Sequence, residues 1–64
     1  MNKQILKDLI EKSGLTQREF AKQAGTTEFQ ISQWLSGHRN IRYTRLQEIA
    51  KTFGYIIKIN YEII

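Results

Sequence analysis

Residues 17–35 read QREFAKQAGTTEFQISQWL, and the starts and stops of two helices fall within or beside them. Thr16, just ahead, is followed three residues later by Glu19. At that spacing the Thr hydroxyl accepts from the Glu backbone N–H while the carboxylate accepts from the Thr N–H, which starts a helix at Gln17. Phe20, Ala21 and Ala24 share the inward face of this helix, Leu15 packs at its entry, and Gly25 stops it after about two turns, a length marginal in isolation. Neighbouring elements must therefore hold it. Thr27 offers a second cap with Gln30 at the matching position, opening a third helix that runs to about Ser36 before Gly37. Two short helices thus flank a tight turn.

On a helical wheel of about 100° per residue, Ile31, Trp34 and Leu35 of the third helix fall on one side, and Phe29, Ser32, Gln33 and Ser36 on the other. The first set is the expected core contact. The second is a face of amides and hydroxyls with one aromatic, where a merely solvated face would carry Lys and Glu. Carboxamides pair bidentately with adenine edges, hydroxyls with either kind of base, and an apolar group can meet the thymine methyl. Such a face suits a major groove.

Upstream, Ile5, Leu6, Leu9 and Ile10 recur at helical spacing, with Asn2 as a cap and Gly14 as the stop. On the outer face of this first helix, Lys7 with Glu11 and Asp8 with Lys12 stand four apart, a spacing at which they can pair across a turn. Downstream, Tyr43, Leu46, Ile49, Ala50 and Phe53 form one apolar stripe, a fourth helix from about Arg42 to Phe53 with Gly54 after it. Beyond Gly54 the period drops to two: Ile57, Ile59, Tyr61 and Ile63 alternate with Lys58, Asn60, Glu62 and Ile64, which predicts a strand. The expected fold is mainly α, a compact four-helix domain over residues 1–54 followed by a C-terminal β-strand over 55–64.

The 64 residues allow one small domain, and a chain of that length buries only about 60% of its unfolded surface. Cysteine is absent and His38 is the one histidine, so neither disulfides nor a protein-built metal cage is expected, and no cofactor is. The sequence has no apolar run long enough for a spanning helix and no secretory leader, which leaves the cytoplasm as the expected compartment and no membrane partner. A formal charge of +4 points to polyanions. Residues 1–32 hold five basic and four acidic residues, whereas 33–64 hold five and two, and Ser36–Arg45 carries His38, Arg39, Arg42 and Arg45 with no acid. No nucleophile–base set, acidic pair in a pocket, Walker pattern or dinucleotide glycine pattern is present, so an enzyme is not expected.

Ala21, Gly25, Ile31 and Trp34, at offsets of four, six and three, together with GTT before the third helix and SG after it, resemble the helix-turn-helix of the lambdoid phage repressor and Cro family, often called XRE-like. The likeness extends over roughly residues 2–54. It implies a lambda-repressor-like, sequence-specific DNA-binding regulator, a repressor that occludes a promoter, with its third helix in the major groove. By this resemblance, base contact falls to Thr27, Glu28, Phe29, Gln30, Ser32 and Gln33, and phosphate contact to Gln17, Thr26, His38, Arg39, Asn40 and Arg42. Each residue also has a plainer role: Thr27 as a cap, Gln17 as a helix starter, His38 as a loop residue, Phe29 turned inward or against a protein. Glu28 departs from the expected chemistry, since an acid is repelled by phosphates yet can accept from cytosine N4.

One short helix reads few base pairs, and the common solution is a two-fold dimer on a palindromic operator with half-sites about 34 Å apart. The apolar tail is an aggregation hazard as a lone edge strand, so the same strand of a second copy is its simplest partner, with Ile57, Ile59, Tyr61 and Ile63 as dimerisation residues. The alternative is a tail folded onto its own helices. A second functional reading is an antitoxin or adaptor that grips a protein such as a toxin through Glu28 and Phe29 or through the tail.

Overall fold

The computed structural model describes residues 2–58 and 63–64. Four helices follow in order: α1 Asn2–Ser13, α2 Gln17–Ala24, α3 Glu28–Ser36 and α4 Tyr43–Thr52. The reciprocal bonds of the capping box are both present at α2, with Glu19 N–H donating to Thr16 Oγ1 at 3.1 Å and Thr16 N–H to Glu19 Oε1 at 3.0 Å. At the far end of α2, Gly25 takes φ +76° and the Thr26 N–H donates back to the Ala21 carbonyl at 2.9 Å. This left-handed closure turns the chain sharply into α3. Thr27 Oγ1 accepts from the Gln30 N–H at 3.1 Å, as the cap spacing predicts.

The core collects one face of every helix. Leu6, Leu9, Phe20, Ile31, Leu46 and Ile49 are fully buried, with Ile5, Ala21, Ala24 and Ala50 around them. Phe53, just past α4, stacks on Phe20 in the middle of α2 with ring centroids 4.6 Å apart, tying the end of α4 to a helix distant in sequence. Trp34 and Leu35, expected in the core beside Ile31, are only partly buried against it. Trp34 instead borders an open groove with Asn2, Lys3 and Arg39.

Three further expectations need correction. Asn2 is not a side-chain cap of α1: its Nδ2 donates to the Ile41 carbonyl at 2.9 Å, 39 residues away. That bond fastens the start of α1 to the segment between α3 and α4, where Ile41 itself is buried. Neither four-apart ion pair on α1 forms. Asp8 accepts from Gln4 Nε2 at 2.9 Å, and Lys12 Nζ lies 5.5 Å from the centre of the Tyr55 ring. Exposed ion pairs are worth too little to outcompete such alternatives.

The tail also departs from one straight strand. Ile56 and Ile64 exchange both backbone hydrogen bonds, each 2.9 Å, and Ile57 bridges Ile63 in antiparallel sense. Alternate side chains of a paired segment face opposite sides. Accordingly Ile57 is 6% exposed and belongs to the core of its own chain, and Ile63 packs against that core, whereas Ile56 and Ile64 face outward. Ile59 and Tyr61 lie outside the described residues.

Candidate nucleic-acid interface

The α2–α3 pair presents its polar residues on one surface because the apolar face of α3 is spent on the core. Ile31 is fully buried, while Thr27, Glu28, Phe29 and Ser32 are exposed and Thr26, Gln30 and Gln33 are half-buried. Phe29 is 73% exposed, so it does not turn inward. Glu28 stands in the first turn of α3, where a carboxylate suits the positive end of the helix dipole. This gives the acid a role in the helix itself, whatever it meets outside.

Gln17 and Ser32 are joined: Gln17 Nε2 donates to Ser32 Oγ at 2.9 Å, across fifteen residues of chain. The bond holds the start of α2 beside the middle of α3. Gln17 keeps its second N–H and its carbonyl oxygen for a phosphate or a base, and Ser32 keeps its hydroxyl proton. The two residues, separately expected at phosphate and base, thus form one unit.

The loop after α3 is fastened to the same helix. The Gln33 carbonyl accepts from the Arg39 N–H at 3.2 Å and from Ser36 Oγ at 3.1 Å. Ser36 Oγ also lies 2.8 Å from His38 Nδ1. His38, Arg39, Asn40 and Arg42 are all exposed. Arg42 is the N-cap residue of α4 but makes no side-chain cap bond, and the first turn of α4 holds no acid. A cation beside a helix N-terminus is opposed by the helix dipole, so this corner carries uncompensated positive potential that an anionic backbone would relieve.

Hydrogen bonds thus join Gln17 to Ser32 and Gln33 to Arg39, and the other expected contact residues, on or beside α3 and in the 37–42 segment, are exposed or half-buried. Ile57 and Ile63 of the tail are instead buried or half-buried against the helices. One supporting residue escapes a sequence reading: Ile41 is signalled only as the lone apolar residue between Arg39 and Arg42. Among the described residues no His, Cys, Asp and Glu cluster could hold a metal ion, and no helix is long and apolar enough to cross a membrane.

A capped helix, a glycine turn, a second helix with a polar outward face and a basic loop behind it define a DNA-binding helix-turn-helix protein. The family model described as helix-turn-helix, of the XRE type, matches residues 6–56, and the chain belongs to this family of DNA-binding transcription regulators. Comparison with curated proteins and with solved structures gives no match.

Proposed function

We propose that two copies of this chain bind a palindromic operator as a homodimer in the cytoplasm, each laying α3 in a major groove, and that occupancy represses by occluding a promoter. The observation that carries the reading is the outward face of α3, where hydroxyls and carboxamides flank a Phe29 that is 73% exposed. Thr27, Glu28, Phe29, Gln30, Ser32 and Gln33 are the proposed base readers. Gln17, Thr26, His38, Arg39, Asn40 and Arg42 are the proposed phosphate contacts. The molecule measures 28 × 21 × 17 Å. Its longest dimension is shorter than the ~34 Å between half-sites, so a full operator calls for two copies. The tail is the proposed dimer element through Ile56 and Ile64, 69% and 50% exposed, with Ile59 and Tyr61, whereas Ile57 belongs to the chain's own core and Ile63 packs against it.

Selection from a random duplex library at about 150 mM salt tests the reading. Enrichment of a two-fold-symmetric site with half-sites one turn apart is expected. A folded protein that enriches nothing would sink it. The second reading, an antitoxin or adaptor gripping a partner protein such as a toxin, draws on the exposed Phe29, Ile56 and Ile64. Salt separates the two: a phosphate-dominated complex loses about 0.9 log unit of affinity per log unit of salt for each neutralised phosphate.

A further inference from the structure

A groove of about 400 Å³ opens behind the 37–40 loop, lined by Asn2, Lys3, Trp34, Gly37, Arg39, Asn40 and Ile41. It brings Lys3, in the first turn of α1, and Arg39, in the loop after α3, to one groove. Both segments are fixed. The Asn2–Ile41 hydrogen bond ties the start of α1 to the segment after the loop, and the Arg39–Gln33 backbone bond ties the loop to α3. Lys3 also lines the neighbouring groove with Gln4, Lys7 and Leu35, so Lys7 continues the basic line one helical turn further. No carboxylate lines either groove. The acids of α1, Asp8 and Glu11, lie in a different hollow with Lys12 and Ile63, and Asp8 is engaged by Gln4. Lys3 and Arg39 make no ion pair with any described residue.

Two cations of different geometry lining one cleft that no carboxylate lines fit a phosphodiester: the guanidinium as a fork, the ammonium as a mobile point charge. The cleft shares Arg39 and Asn40 with the proposed backbone clasp, so the anion in reach is the same duplex rather than a separate ligand.

We propose that Lys3 and Arg39 hold one backbone phosphate of the bound DNA, extending the footprint from the α2–α3 face onto α1. The proposal rests on the DNA-binding reading above. The test uses the full chain and the duplex enriched by selection, with affinity measured from 50 to 200 mM salt. Lys3→Gln leaves Arg39 on the shared phosphate and lowers the log–log salt slope by part of the roughly 0.9 that one fully neutralised phosphate contributes. Lys3→Arg retains the slope. Lys22→Gln, on the last turn of α2 and outside the proposed contacts, removes the same charge as a control for net-charge effects. A scan of single neutral methylphosphonates then finds one position that weakens the native chain more than it weakens Lys3→Gln. The proposal is overturned if Lys3→Gln and Lys22→Gln have the same slope and every methylphosphonate weakens the native and Lys3→Gln chains equally. Failure of the native chain to bind any duplex would overturn the DNA reading itself, a distinguishable result.

Discussion

Phe29 and Ile31 stand two residues apart on α3 and face opposite worlds. Phe29 is exposed, so Phe29→Ala should shift stability by no more than about 0.5 kcal/mol in urea unfolding while lowering affinity for the selected operator. Ile31 is fully buried, and Ile31→Ala should cost about 2–5 kcal/mol in the same experiment. A Phe29 variant with unchanged affinity would remove that residue from the reading surface. Glu19 supplies a pH signature. The backbone and side-chain hydrogen bonds from Thr16 lower its carboxyl pKa below the ordinary value of 4.5. A depressed carboxylate contributes stability above its unfolded pKa and loses it as pH falls through the folded value. Thermal melts of the native chain should therefore weaken on acidification from about pH 5 toward pH 3, and Glu19→Gln, which retains an acceptor but not the charge, should flatten that part of the profile.

Among the elements, the α2–α3 turn and the tail make separate demands. Gly25 at φ +76° has open space where a Cβ would stand, so Gly25→Ala carries backbone strain alone, about 1–2 kcal/mol in denaturant unfolding. For the tail, the burial of Ile57 changes how dimerisation must be probed. Cutting after Gly54 removes a core residue along with the proposed interface, so a failed truncation would say little about pairing. Ile56→Lys with Ile64→Lys alters only outward side chains. This variant should keep the native melting behaviour and sediment as a monomer where the native chain is a dimer; dimers that persist would remove the outward tail face from the interface. The helix boundaries were legible in sequence because Thr16, Thr27, Gly25 and Gly37 act within a few residues of themselves. The tail was not, since a period-two pattern gives the alternation of Ile56 and Ile57 but not which face meets the chain's own helices. The Gln17–Ser32 bond was hidden for a related reason, as it depends on how two helices dock.

For the whole molecule, half of the formal charge of +4 is matched by Arg39 and Arg42 of the 37–42 segment, which holds no acid. The candidate site was legible as a set of residue types on one helical face. Its extension toward α1 was not, because Asn2 and Ile41 meet only once all four helices have closed. Mutational effects should divide accordingly: a change at Phe29 alters binding at nearly constant stability, and changes at Leu6, Phe20, Ile31 or Leu46 do the reverse.

The separation of the outward face of α3 from the packed interior has an evolutionary corollary. Glu28 and Phe29 carry no part of the core, so they can be exchanged with little effect on folding, and target preference can drift while the scaffold stays fixed. Ser32 is the exception. Its hydroxyl receives the Gln17 amide, so a new residue there must either accept that hydrogen bond or be matched by a change at Gln17, and the two positions are expected to vary as a pair among descendants of this sequence.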